Sequence, residues 1–320
     1  MSEMRTDRSS PGDSNGNALD GSSPRADGPV RRPLVMAVVN VTPDSFSDGG
    51  RWFDAAAAVE HGLQLVAQGA DILDVGGEST RPGAQRPSAD EEARRVIPVV
   101  RELAAAGARV SVDTMRASVA EAAVAAGADI INDVSGALAD PAMRDVAAAS
   151  DATFVAMHWR GHSVDMQQQH TAYDDIVTDV CRELAESVAA LREAGVRDGR
   201  LVVDPGFGFA KTAEQNWELL ARMGEFDVDG LPVLWGTSRK SFLGVAGRTP
   251  QLIADGASVP PAARDAATAA TSVLAAQHDA WAVRVHDVPS TLAALDVVAA
   301  ARGAVAPRSA GERVGGGMPQ

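Results

Sequence analysis

Between residues 34 and 300 the chain alternates short apolar runs with polar loops and alanine-rich segments. The apolar runs are LVMAVVN (34–40), DILDVGG (71–77), RVSVDT (109–114), DIINDVSG (129–136), TFVAMH (153–158), LVVDPG (201–206), PVLWGTS (232–238) and WAVRVHDV (281–288). Their length and β-branched content predict strands. The segments between them, among them FDAAAAVEHGLQLVAQG, SADEEARRVIPVVRELAAAG and ASVAEAAVAAG, carry apolar side chains at helical spacing. Ser88 stands three residues ahead of Glu91, the spacing of a capping box. Gly69, Gly107, Gly127 and Gly195 each close a helical segment just before the next strand, as C-terminal caps do. Eight strand–helix units in about 270 residues predict a (β/α)8 barrel. A doubly wound open sheet is the alternative.

The polar positions favour the barrel. Each strand is apolar and most end in a functional group: Asn40, Asp113, Asn132, His158 and Asp204, then Lys240 just past the seventh, and Arg284 with His286 in the eighth. In a barrel these side chains converge on one mouth, where such folds build their sites. Asp113 and Asp204 are carboxylates suited to two adjacent N–H groups, the guanidine-like edge of a 2-amino-4-oxo heterocycle. Asn132 suits a mixed donor and acceptor edge, and Lys240 a carbonyl oxygen or ring nitrogen. Arg284, His286 and helix N-termini would serve an anion such as a phosphate.

One connection is too long for its task. After the first strand the chain spends NVTPDSFSDGG (40–50), with Phe46 in its midst, where a βα link usually takes about two to six residues. Such a loop fits a lid over the mouth.

Composition narrows the classes. The chain is 45% apolar and 4% aromatic, which allows a substantial core with small-residue helix packing. A net charge of -14 argues against a nucleic-acid surface, but leaves room for an anionic substrate held by a few local cations. The single cysteine, Cys181, excludes an internal disulfide and falls in a helical pattern, where a packed thiol is expected. No apolar run reaches the ~18 residues of a membrane span, and no signal-peptide core opens the chain, so a cytoplasmic location is expected. Residues 1–33 and 303–320 are poor in large apolar side chains and are expected to be disordered tails around a catalytic domain at 34–302. Of the 29 lysines and arginines only Lys211 and Lys240 are lysines, which suggests sites where a compact ammonium is needed.

Other chemistry is not supported. GFGFAKT lacks the second glycine before lysine of a phosphate-binding loop, and the chain has neither G-x-G-x-x-G nor G-x-S-x-G. Glu78 in GGESTRPG could be a general acid but has no evident paired carboxylate.

Taken together, NVTPDSFSDGG, DILDVGGESTRPGA, VSVDT, INDVSG, MHWRG, DPGFGFAKT, GTSRKSFLG and VRVHDV resemble, in order and over roughly residues 34–300, the bacterial dihydropteroate synthase family. The resemblance implies condensation of 4-aminobenzoate with (7,8-dihydropterin-6-yl)methyl diphosphate, giving 7,8-dihydropteroate and pyrophosphate. It implies ionisation of the carbon–oxygen bond before arylamine attack, a Mg2+ ion, and a homodimer formed through helices near the C-terminus. Carried over by position, Asp113, Asn132, Asp204 and Lys240 match the pterin contacts. Asn40, Arg284 and His286 match the diphosphate site, with Asn40 also near the Mg2+. Phe46, Asp48, Thr80 and Arg81 match loop residues of the 4-aminobenzoate pocket, with Asp48 near the reacting methylene. Phe209, Lys240 and Ser241 match its wall and its carboxylate-binding helix end. Asp113, Lys240, Asp48 and Arg81 are thereby the catalytic candidates. Trp159 and Arg160 stand where many members carry other residues. A related pterin-binding methyltransferase barrel would lack the DSFSDGG and ESTRPG loops, and an inactive pterin-binding paralogue would be expected to lose Arg81 or Lys240; all are present here.

Overall fold

In the computed structural model the described residues are 32–42, 51–78, 86–161, 171–246 and 259–305. Among them are eight parallel strands, each followed by a helix: β1 (Leu34–Asn40), α1 (Arg51–Ala67), β2 (Ile72–Gly76), α2 (Ala89–Ala105), β3 (Val110–Asp113), α3 (Ala117–Ala125), β4 (Ile130–Asp133) and α4 (Met143–Ala149). The second half runs β5 (Thr153–Met157), α5 (Ile176–Glu193), β6 (Leu201–Asp204), α6 (Ala213–Ala221), β7 (Leu234–Trp235), α7 (Asp265–Gln277), β8 (Ala282–Val285) and α8 (Val288–Val305). The strands hydrogen-bond in the order β6-β5-β4-β3-β2-β1-β8-β7. A bridge between Val203 and Val233, with Val203 N–H donating to Pro232 at 2.9 Å, joins the two ends. The protein is a (β/α)8 barrel, with β6 and β7 the weakest seam.

That seam has a covalent cause. The apolar pattern predicts a strand over 232–238, yet only Leu234 and Trp235 pair fully. Pro232 has no N–H to give to a ladder. Past Trp235 the chain leaves the sheet through Gly236 and a left-handed Arg239 (φ 59°) to present Lys240.

Alternation along the strands separates two cores. Met36, Ile72, Ile130, Val155, Val202, Leu234 and Ala282 fill the barrel interior, with Leu34 and Trp281 packed on them. The intervening residues, such as Val35, Leu73, Val112 and Phe154, pack outward against the helices. Register places Asp74 beside Ser111, and Gly76 beside Asp113, which in turn neighbours Asn132. Polar side chains therefore lie directly above the apolar plug.

The capping expectations fare unequally. Gly69, Gly107, Gly127 and Gly195 all adopt positive φ, between 84° and 110°, as C-terminal caps require. Ser88 Oγ accepts from Glu91 N–H at 3.2 Å, but the Glu91 carboxylate pairs with Arg94 and Arg95. Strong cations one turn along outcompete a backbone amide. The complete reciprocal box forms instead at Thr212 and Gln215, opening α6. Cys181 is half-buried in α5, and burial raises its thiol pKa, which suits a packed side chain rather than a nucleophile.

Candidate active site at the mouth of the barrel

The floor of the mouth is an ionic bridge across three strands. Arg284 of β8 donates Nε to Asp74 at 2.6 Å and Nη2 to Asp113 at 2.7 Å. Asn132 of β4 donates Nδ2 to the same Asp74 oxygen at 3.0 Å. A carboxylate can only accept, so it fixes which way this amide faces: nitrogen down to Asp74, oxygen the other way. Burial opposes the charge on Arg284, but Asp74 and Asp113 override it and hold its pKa above the ordinary value. Burial pushes the Asp113 carboxyl up to about 7; Arg284 opposes the shift, while Asp74, Glu92 and Glu78 add to it.

Asp74 is the residue that sequence reasoning missed. It is fully buried, at 0% exposure, in the middle of the five-residue strand ILDVG. The signal was present, because a carboxylate in the centre of a strand buried on both faces needs a partner. Attention to strand ends passed it over.

The opposite side of the mouth is built by β6 and the loop after it. Asp204 is buried, and its Oδ1 accepts from Gly206 N–H at 2.7 Å. Burial raises its pKa to about 6, against the Gly206 N–H and the charges of Lys240, Arg284 and Lys211. Lys240 stands over the Phe209 ring, its Nζ 4.0 Å from the centroid. Burial lowers its pKa to about 8; Arg284 adds to the fall, and Asp204 and Asp113 resist it. The Lys240 stem lies against Gly208, where an added Cβ would come within 2.9 Å of Cδ. Gly208 is also left-handed (φ 76°), so both space and backbone call for glycine there. The adjacent Arg239 is drawn away, donating Nε and Nη2 to Asp265 at 2.7 and 2.8 Å. Of two neighbouring cations, only the lysine enters the mouth.

The remaining candidates spread around the rim. Ser238 Oγ accepts from the His286 backbone N–H at 3.2 Å and meets ring Nδ1 at 2.9 Å, which anchors the His286 ring at the rim. Asn40 ends β1 with its side chain exposed, and Ser241 opens a short 3-10 turn, Ser241–Val245. His158 does not face the mouth as a ligand; it is buried between Lys211 and Glu183. Arg160 turns away too, donating Nε to Glu183 at 2.8 Å and stacking 3.7 Å over the Tyr173 ring. Glu78 is engaged by Arg86 at 2.6 Å and Arg116 at 3.3 Å, an ion-paired carboxylate rather than a poised acid. Phe46, Asp48, Thr80 and Arg81 lie outside the described residues.

The structure thus brings Asp113, Asn132, Asp204, Lys240 and Arg284 into one electrostatic unit, with Asp74 beneath it. This unit offers acceptors and cations to a planar polar heterocycle. Among the described residues there is no group of three or more His, Cys, Asp or Glu that could hold a metal.

Comparison with known proteins gives a consistent result. A family model described as pterin binding enzyme matches residues 36–286. The chain is 52% identical to the dihydropteroate synthase of Mycobacterium leprae (strain TN) over 268 residues, 83% of this chain and 92% of that one. Dihydropteroate synthase from Xanthomonas albilineans, solved with 4-aminobenzoic acid, superposes with a TM-score of 0.76 at 45% identity, over 85% of this chain and 94% of that one. The Xanthomonas albilineans enzyme in complex with 7,8-dihydropteroate gives 0.73 at 42% identity, over 85% and 95%.

Proposed function

Since this chain belongs to the dihydropteroate synthase family of pterin-binding enzymes, we propose how its mouth divides the labour of that reaction. The enzyme condenses 4-aminobenzoate with (7,8-dihydropterin-6-yl)methyl diphosphate, releasing pyrophosphate and forming 7,8-dihydropteroate for folate synthesis. Asp204 accepts two N–H groups from the 2-amino edge of the pterin, Asn132 offers its oxygen, and Lys240 meets the carbonyl or ring-nitrogen side. Asp113 lies beneath the ring, and Arg284 with His286 faces the diphosphate. The observation that carries this assignment is the Asp74–Arg284–Asp113 bridge, which orients Asn132 and keeps a cation fixed beside the leaving group.

The carbon–oxygen bond ionises first, leaving a cation delocalised into the pterin, and the arylamine nitrogen then attacks the methylene. Such a reaction needs orientation and exclusion of water more than proton transfer. That agrees with a mouth whose carboxylates are engaged in recognition and ion pairs. When bound, Mg2+ would supply charge neutralisation for the diphosphate. The exposed Asn40 amide at the end of β1 fits it, because Mg2+ takes few protein oxygens and fills its shell with phosphate and water.

The 4-aminobenzoate lies against Phe209, with its carboxylate towards Ser241 and Lys240. From the family resemblance we infer that Phe46, Asp48, Thr80 and Arg81 serve the same pocket, and that it takes 4-aminobenzoate after the first substrate. Binding should therefore be ordered. Calorimetry should show 4-aminobenzoate binding when pyrophosphate and Mg2+ are present, and binding weakened at least tenfold without them. Equal affinity in both conditions would contradict a pocket assembled by the first substrate.

Lys240→Arg is expected to lose at least about 90% of turnover despite keeping its charge, because a planar fork cannot replace a compact ammonium between Phe209 and the Asp204 side of the mouth. Wild-type turnover would mean that charge alone suffices.

A pH effect also follows. Only the ionised Asp204 carboxylate accepts both N–H groups, and its pKa is raised to about 6. The Asp204 contribution to pterin affinity is thus full well above that value and falls as pH drops through it, by roughly tenfold between pH 7.5 and 5. Asp204→Asn should remove this part of the dependence; an unchanged profile in that variant would assign the titration elsewhere.

For assembly, a homodimer through α7 and α8 suits the exposed Leu274 and Val297 on those helices. No described helix is long and apolar enough to cross a membrane.

A further inference from the structure

Lys211 is the other of the two lysines, and the reaction as described has no use for it. Its side chain is 4% exposed. Burial lowers its pKa to about 7, so the ammonium is held against a substantial desolvation penalty. What it does there is visible in its donors. Nζ reaches His158 Nδ1 at 3.0 Å, the Gly206 carbonyl at 3.1 Å and the Phe209 carbonyl at 3.2 Å. An ammonium has three N–H groups, and all three are used.

Both carbonyls belong to the loop between β6 and α6. That loop turns inward through three left-handed residues: Gly206 (φ 70°), Gly208 (φ 76°) and Ala210 (φ 47°). The Gly206 peptides link two systems. The Gly206 N–H holds Asp204 Oδ1, while its carbonyl is held by Lys211. There is no slack beside it, since a Cβ on Gly206 would lie 2.5 Å from the His158 carbonyl oxygen. Movement of this residue is therefore passed to the Asp204 carboxylate.

Lys211 is itself held from behind. With the ammonium donating to Nδ1, the proton of a neutral His158 sits on Nε2 and points to Glu183 Oε2 at 3.0 Å. Burial, reinforced by Lys211, lowers the His158 pKa to about 3 and keeps the ring neutral. Glu183 also accepts from Arg160, whose guanidinium stacks on Tyr173. The Tyr173 hydroxyl donates to the Ala210 carbonyl at 3.0 Å, so the chain of contacts returns to the loop where it began.

We propose that Lys211, braced through His158 by Glu183, is a positioning residue that sets pterin affinity and the arylamine wall by fixing the loop bearing Gly206 and Phe209. This rests on Asp204 being the pterin acceptor. Lys211 acts through Gly206 and Phe209, not on substrate.

The test compares wild type, Lys211→Met and Glu183→Gln as full-length proteins, by calorimetric titration with the pterin diphosphate substrate and by steady-state kinetics in 4-aminobenzoate. Circular dichroism sets the folded fraction in each case. Lys211→Met keeps the apolar stem and removes all three donors. It should weaken pterin binding about tenfold per folded molecule and raise the KM for 4-aminobenzoate by a similar factor. Glu183→Gln lies at the half-exposed end of the brace and should move both constants about threefold in the same direction. A merely structural role would lower the melting temperature and leave both constants unchanged, and that result would overturn the proposal. If Lys211→Met does not fold, Glu183→Gln decides by the same criterion. Failure of the wild-type protein to bind the pterin would sink the reading of Asp204, and this proposal with it.

Discussion

Asp204→Ala should weaken binding of the pterin diphosphate by about 2–4 kcal/mol, and Asp204→Asn should fail to restore it. Asp204 is buried, held on one oxygen by Gly206, and faces the side of the mouth that carries Lys240. Removing it leaves two ligand N–H groups desolvated without acceptors, which costs more than the loss of an average hydrogen bond. The asparagine keeps shape and one acceptor, but its NH2 group would meet a donor. Asn therefore separates shape from charge and polarity. Calorimetry of the two variants, normalised to folded protein, checks this. Near-wild-type affinity in both would remove Asp204 from the clamp.

Asp74→Ala is expected to have the largest effect on the protein itself, a loss of about 3–5 kcal/mol in stability. The carboxylate is fully buried, and both of its bonds, from Asn132 and Arg284, fall on Oδ2. Its removal leaves the Arg284 charge half-compensated by Asp113, and leaves the Asn132 nitrogen without its acceptor. Asp74→Asn can keep an oxygen in the Oδ2 position and so preserve both contacts while losing the charge. It should cost only about 1–2 kcal/mol, the difference between charge-assisted and neutral hydrogen bonds. Chemical denaturation of the two variants measures both figures. Equal losses would mean that charge, not hydrogen-bond geometry, holds the floor of the mouth.

The barrel was readable because the strands are predominantly apolar runs, most with a polar group at or near the C-terminal end, and eight such runs close on themselves. The same rule exposed Asp113, Asn132, Asp204, Lys240 and Arg284, since a polar group at a strand's C-terminal end has the mouth as its nearest solvent. The rule fails one layer deeper. Asp74 satisfies itself inside the protein, through Arg284, which lies 210 residues away. No local period reports such a pair. Arg284 shows the complementary limit: its charge suggests an anion site, but the sequence does not reveal that two carboxylates already pin its guanidinium. His158 ends its strand like the others, yet a partner brought in by α5 turns it into an internal brace. At Ser88 and Glu91 the spacing of a box was correct, but competing arginines on the next turn took the carboxylate. The arylamine residues Phe46, Asp48, Thr80 and Arg81 were identified through the family resemblance and not through any periodicity.

The central claim is that this mouth joins an arylamine to a pterin methylene with loss of pyrophosphate. Its most direct test is mass-spectrometric detection of product from the purified full-length protein, given the pterin diphosphate, 4-aminobenzoate and Mg2+, with Asp204→Asn alongside. The account predicts 7,8-dihydropteroate accumulating in equal amount with pyrophosphate for the wild type, and little of either for the variant. Absence of dihydropteroate from the wild type, with or without pyrophosphate release, would contradict it.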